Sequence, residues 1–202
     1  MPAAHDATRT PRPGGRTARV RADVLAAVQQ ELAATGYDDL TIEAVATTSG
    51  VHRTTIYRRW GSVAGLLVDL LASGADDSWE PADLGSLEAD LIRLNREVRD
   101  SLAQYPSLTG AVIAASFRTP EAAEALTAFW QDRYERSAIV IKRAINRGEI
   151  PPDTDPQRVL MASTSPVYHQ LVLLRQPMPQ ATADRAAKDA AAAARAGIYA
   201  SN

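Results

Sequence analysis

The sequence predicts an all-α protein of about nine helices, with a three-helix head at the N-terminus and a longer helical domain after it. Three observations carry this expectation. Apolar residues recur at i, i+3 and i+4 through most of the chain. Alternation of apolar and polar residues, the mark of a half-buried strand, is scarce. Two short helical patterns flank Gly50, after a longer one, in the arrangement of a helix-turn-helix.

Residues 1–15 hold three prolines, two glycines and almost no large apolar residue, so they read as a flexible arm. The first helix follows, roughly from Thr17 to Thr35. Val24, Val28 and Leu32 form its inner stripe and Gly36 its stop. Thr41 is the N-cap of a short second helix, with Leu40 and Val45 as a hydrophobic staple and Glu43 in the first turn. A third helix spans about His52 to Arg59. Ser62 caps a fourth, which carries Leu66, Leu67, Leu70 and Leu71 and fades at Asp76-Asp77. Beyond a linker with Pro81 and Gly85, Leu87, Leu91, Leu94, Val98 and Leu102 make one stripe, ended by Pro106. Leu108, Val112, Ile113 and Phe117 make another. Thr119-Pro120 and Asp155-Pro156 are paired cap and first-turn signals. They start a long seventh helix that stops at Gly148 and an eighth that reaches about Leu174. An alanine-rich ninth runs from about Thr182 to near Gly197.

Composition narrows the chemistry. The 202 residues are 46% hydrophobic and 23% charged, in the range of ordinary soluble globular proteins. There is no cysteine, which excludes disulfides, thiolate metal sites and cysteine nucleophiles. His5, His52 and His169 never fall at i, i+4, so no metal pair lies within one helix. No glycine-rich phosphate loop, Gly-x-Ser-x-Gly elbow or paired-histidine motif occurs, and the expectation is a protein without catalysis, cofactor or metal. No apolar run has the length of a membrane span and the N-terminus lacks a signal core, which points to the cytoplasm. Residues 1–65 carry eight Lys and Arg against six Asp and Glu, and residues 66–202 fourteen against eighteen. Five arginines and no acid lie between Arg9 and Arg21. That is compatible with a merely solvated terminus or with a nucleic-acid contact.

The third helix carries the sharper signal. It exposes His52, Arg53, Thr54, Thr55, Tyr57, Arg58 and Arg59, while Val51 and Ile56 face a seam with Ile42, Val45 and Ala46. Arginine reads guanine O6 and N7 bidentately, hydroxyls reach phosphates, and a threonine methyl touches thymine. Paired threonines weaken an exposed helix, and three arginines without a carboxylate repel one another unless an anion arrives.

The stretch Leu40–Leu67, LTIEAVATTSGVHRTTIYRRWGSVAGLL, with Gly36-Tyr37 upstream, resembles the DNA-binding domain of the tetracycline-repressor (TetR) family. The features shared are Thr41, Gly50-Val51, Thr55-Ile56-Tyr57, Trp60 and Gly61-Ser62. The resemblance implies a basic arm over 1–15, a helix-turn-helix DNA-binding domain over 16–65, and a helical ligand-binding and dimerisation domain over 66–202. It implies a homodimeric regulator, usually a repressor, that leaves a palindromic double-stranded operator when a small organic molecule binds. An architectural dimer without ligand control is the alternative. Carried over by position, Thr41 and Tyr57 meet phosphates, and Arg53, Thr54, Thr55 and Arg58 face bases. Arg59 and the N-terminal arginines, Arg19 among them, add backbone or minor-groove contacts. His52 caps the recognition helix or reaches DNA, the former favoured, and Trp60 packs into the core. The family often has a lysine just after the Gly-Ser; here Val63 stands in its place.

For the C-terminal domain, Phe117, Phe129, Trp130, Tyr134, Tyr168 and His169 are candidates to line a pocket between helices or to fill the core. Phe117, Trp130, Tyr134 and His169 are carried forward as ligand contacts. Pro166 should kink the eighth helix, either opening space or bending it around the core. Ala186, Ala187, Ala190, Ala193 and Ala194 form a small-residue face, read as part of a dimer contact or as an exposed surface.

Overall fold

The computed structural model describes residues 15–74, 79–104 and 107–200. The arm expected over 1–15 lies outside them except for Gly15, as do Asp76-Asp77 and Pro106. The described residues form α1 (Gly15–Thr35), α2 (Ile42–Ser49), α3 (Arg53–Trp60), α4 (Val63–Gly74), α5 (Leu87–Ala103), α6 (Leu108–Ser116), α7 (Pro120–Asn146), α8 (Pro156–Tyr168) and α9 (Gln180–Arg195), with a π-helical turn at His169–Leu173.

Most starts are fixed by side-chain caps. Thr41 accepts from the Ala44 N–H at 3.1 Å, Ser86 from Ala89 at 3.2 Å, and Asp155 from Gln157 at 2.8 Å. Each satisfies a donor that the helix cannot satisfy itself. Gly50 takes φ +67° between α2 and α3, a conformation costly for any residue with a Cβ. The eighth helix departs from its expected end. Regular α geometry stops at Tyr168, and the chain widens so that Leu174 N–H donates to the His169 carbonyl at 2.9 Å. Pro166, inside α8, has no N–H for the preceding turn, and a widened turn close by is one way a helix absorbs that loss. The last helix begins at Gln180, after Pro179, two residues earlier than expected.

Helix α4 sits between the two halves of the molecule. Its Leu66, Leu67, Leu70 and Leu71 share one core with Val24 and Val28 of α1, Val45 of α2, and Ile56 of α3. The same core includes Ala111, Val112 and Ala115 of α6 and Ala122 of α7. The boundary read between residues 65 and 66 thus falls inside α4. A second core joins Leu87 and Leu91 of α5, Val140 and Ile141 of α7, Val159 and Leu160 of α8, and Ala187, Ala190, Ala191 and Ala194 of α9.

That second core corrects the reading of the alanine face. Ala187, Ala190 and Ala194 are buried within one chain, against α5 and α8, so they are not available to a partner. Their small side chains let three helices approach closely. A buried amide fixes the same junction: Asn95 Nδ2 donates to the carbonyls of Ser163 (2.9 Å) and Ala183 (3.0 Å), and its Oδ1 accepts from Ser163 Oγ at 3.0 Å. No polar group of Asn95 is left unsatisfied, as a fully buried amide requires.

Ala190→Glu should therefore lower the stability of the chain itself by several kcal/mol, because it buries a carboxylate without a partner. Urea titration at several protein concentrations checks this. A loss of association with unchanged chain stability would contradict the packing described.

Candidate nucleic-acid interface and cavity

The recognition helix α3 is anchored by one fully buried residue, Ile56, and turns the rest outward. His52, Arg53, Thr54, Tyr57, Arg58 and Arg59 are exposed, and Thr55 is half-buried. His52 is the N-cap, its Nδ1 accepting from the Thr54 N–H at 3.4 Å and lying 2.9 Å from Thr54 Oγ1. Thr41 caps α2 with its hydroxyl oxygen, which leaves its hydrogen to donate elsewhere. Tyr57 donates to Glu43 Oε1 at 3.3 Å, so the phenol is held toward the start of α2. Among the described residues Arg53 and Arg58 have no hydrogen-bonded or ionic partner. Arg59 stacks on Trp60, 4.9 Å from the ring centroid, and donates to the Thr17 carbonyl at 3.2 Å. The start of α1, with exposed Arg16 and Arg19, therefore lies beside the end of α3. Two unpartnered arginines with adjacent hydroxyls form a surface built to receive anions. Val63 is half-buried against the core, so the side chain that replaces the family's lysine is a packing residue.

What aims this surface is Asp69, which the sequence reading did not single out. It accepts from Trp60 Nε1 at 2.8 Å and from Arg21 Nη2 at 2.7 Å and Nε at 3.0 Å. One carboxylate on α4 thus ties α1 to the end of α3. The Arg21 hydrogen bond, reinforced by the Trp60 bond and by nearby positive charge, holds its carboxyl below the ordinary carboxylate range against the opposing effect of burial. The available signal was that Asp69 is the only charged residue in α4. Gly65 adds a steric condition: a Cβ there would come within 2.1 Å of the Trp60 carbonyl, so only glycine lets α4 pass so close to α3.

A cavity of about 220 Å³ opens among α5, α6, α7 and α8. Trp130 and Tyr134 line it, with Phe129 and Tyr168. Phe117 and His169 do not. Phe117 caps the end of α6 and is 83% exposed, and His169 is exposed in a separate shallow depression beside the π-helical turn. Helical periodicity placed them on an apolar face but could not show where that face ends. Thr164 and Tyr168 face the cavity one turn apart. Pro166, two residues from each, points about 200° away and is exposed. Residues not anticipated include Trp79 from the linker and Glu97, Thr109, Arg133, Ser137 and Thr164 from the helices. Arg133 stacks on Trp79 at 4.6 Å and on Phe129 at 5.2 Å. Its place four residues after Phe129 was legible; Trp79 lies outside any periodic segment. Burial, aided by the neighbouring Tyr134, pushes the Tyr168 phenol well above its ordinary range, so it stays protonated.

Comparison with known proteins places both halves. Residues 24–70 match the family described as bacterial regulatory proteins, tetR family, and residues 81–190 match the tetracyclin repressor-like C-terminal domain. The HTH-type transcriptional regulator AqdR of Rhodococcus erythropolis is 30% identical over 166 residues, 81% of this chain and 80% of its own. An uncharacterized HTH-type transcriptional regulator of Mycobacterium tuberculosis is 32% identical over 129 residues, 63% of this chain; the match spans 64% of that relative's length. The crystal structure of the TetR family transcription regulator SCO0332 superposes with a TM-score of 0.68 at 29% identity, covering 86% of this chain and 97% of that one.

Asp69→Ala should destabilise the head by about 1.5–3 kcal/mol, the range for hydrogen bonds to a charged group. The sign with pH follows from the lowered carboxyl: its contribution is fully present above the unfolded-state value near 3.9 and is lost as pH falls through the lower folded value. The gap between wild type and variant in denaturant curves should thus begin to narrow below about pH 4 and shrink further as pH falls; a gap that stays constant down to about pH 2 would show that the charge is not what holds α3.

Proposed function

The chain belongs to the TetR family of bacterial transcriptional regulators, and from that premise we propose that it is a ligand-responsive, sequence-specific repressor. The observation that carries the reading is the pairing of an exposed recognition helix, with Arg53 and Arg58 unpartnered, with a separate aromatic cavity in the C-terminal domain. Arg53, Thr54, Thr55 and Arg58 face bases in the major groove. Thr41 and Tyr57 meet phosphates, Tyr57 after leaving Glu43, and Arg19 and Arg59 add backbone or minor-groove contacts. His52 serves the DNA by capping the helix. Trp130, Tyr134, Phe129 and Tyr168 receive a small organic ligand.

The protein acts as a cytoplasmic homodimer on a palindromic operator, because two-fold related heads read two-fold related half-sites. With the inner alanine face occupied within the chain, the dimer contact falls on the outward sides of α8 and α9, where Met161, Ala181 and Ala192 are exposed. The ligand acts through α4. Cavity residues Thr109 and Phe129 belong to α6 and α7, which pack against α4, and α4 holds α3 through Asp69. An occupant that favours a different α6–α7 arrangement shifts the spacing of the heads. Coupling of this kind is worth about 1–3 kcal/mol, or 5–150-fold in operator affinity.

Selection of bound DNA followed by footprinting tests the reading. The expected result is a palindromic site whose affinity falls on addition of a compound that stabilises the protein against heat. A specific site with no ligand response would leave an architectural role instead. In the same assay Arg53→Ala or Arg58→Ala should cost about 1–3 kcal/mol and relax preference at one base pair per half-site. Tyr57→Phe should weaken specific and random DNA alike, since phosphates carry no base identity. Identical loss of specificity in all three variants would contradict these roles.

A further inference from the structure

The cavity's dimensions and wall chemistry narrow its ligand, an argument that rests on reading the cavity as the effector site. An apolar protein cavity of roughly 150 Å³ accommodates benzene. In proportion, about 220 Å³ takes roughly nine or ten non-hydrogen atoms, the size of two fused rings. The walls favour rings. Trp130 meets Phe129 and Tyr168 edge-on, with centroids 4.9 and 5.0 Å apart and planes inclined by 69° and 75°. Such walls offer both ring faces and ring edges to a flat guest.

The charged groups of the wall are already engaged. Glu97 pairs with Arg93 at 2.7 Å, and Arg133 is stacked on Trp79 and Phe129. A charged guest would compete with these arrangements, whereas a neutral guest leaves them in place. The phenols differ. Among the described residues neither the Tyr134 nor the Tyr168 hydroxyl has a hydrogen-bond partner, and Tyr168 remains a protonated donor. A half-buried O–H without a protein partner is a group that a guest's acceptor can satisfy.

We propose that the ligand is a planar, uncharged aromatic molecule of two fused rings that directs a hydrogen-bond-accepting oxygen or nitrogen at Tyr134 and Tyr168. Four probes of one skeleton separate the contributions: indane (no acceptor), 1-indanone (a carbonyl), 2-aminoindane (a cation) and indane-2-carboxylate (an anion). Isothermal titration of the full chain at constant salt should show 1-indanone binding at least tenfold more tightly than each of the other three, a difference of about 1.4 kcal/mol. Tyr134→Phe combined with Tyr168→Phe should erase the advantage over indane. Indane binding should stay within about twofold, which also shows that the variant is folded and its cavity intact. Equal binding of indane and 1-indanone, equal or tighter binding of either ion, or no binding of any probe overturns the proposal. The titration involves no DNA, so it fails separately from the regulatory reading. Operator release by an unrelated compound with no 1-indanone binding would refute the ligand class alone. Binding of 1-indanone in a protein that no compound releases from DNA would refute the regulation alone.

Discussion

Asp69 holds three helices through one carboxylate, and the geometry of the DNA-facing surface depends on it. Trp60 closes α3 and Arg21 lies in the second turn of α1, 48 residues from Asp69 in sequence. Without that acceptor the Trp60 N–H would be half-buried with nothing to bond, and Arg21 would face an apolar helix. Hydrophobic packing alone would let α3 rotate about Ile56, its one fully buried residue. The directional bonds remove that freedom, because a carboxylate accepting from an indole and a guanidinium admits only a narrow range of orientations.

The same helix that carries Asp69 also carries Leu66, Leu67, Leu70 and Leu71 into a core shared with α6 and α7. Head and regulatory domain are therefore not separate bodies joined by a tether; α4 belongs to both. A second, exposed link runs from Arg118, after α6, to Asp38 at 3.5 Å and the Tyr37 ring at 5.3 Å. Being solvated, it contributes little to stability and is easily broken when the domains shift. Elsewhere the bundle is locked. Asn95 fixes the register of α5, α8 and α9. Arg147 joins Asp83, Asp90 and Glu149 at the α7–α8 turn, and Glu149 Oε2 accepts from the Leu87 N–H at 2.9 Å.

The helices were legible because caps and periodicity act locally. Thr41, Ser62, Thr119-Pro120 and Asp155-Pro156 stand where the chain begins helices, and the TetR-like run exposed the recognition helix. What sequence could not show was which of two apolar readings a surface takes. The alanine stripe of α9 has the pattern of a contact face, but whether α5 or a second chain covers it is decided by tertiary packing. Phe117 and His169 lie on helical faces that look continuous with the cavity wall. A helix end after α6 and the widened turn after Tyr168 carry them out of it. Asp69 and Trp79 gave only weak signals, a lone charge in an apolar helix and an aromatic in a linker. Their partners lie far along the sequence or depend on the fold.

The two sites solve opposite electrostatic problems, and that division suits a switch. At the head, Arg53 and Arg58 have no counter-charge among the described residues, so the surface is suited to an anion against it. In the cavity, Glu97 is paired with Arg93, Arg133 is stacked on Trp79 and Phe129, and the Tyr134 and Tyr168 phenols stand on a largely aromatic wall. DNA affinity at such a surface draws on counter-ion release, whereas on the proposed reading ligand affinity would draw on apolar burial and a hydrogen bond. A neutral guest changes no charge at the head and cannot weaken DNA binding by repulsion across the molecule. On the proposed reading its influence would be geometric, carried by the packing of α6 and α7 on α4 and delivered to α3 through Asp69. On the same reading, a displacement of α4 would misalign arginines that remain fully charged, so a released protein would keep its general attraction to DNA while losing the two-fold register that a palindromic site requires.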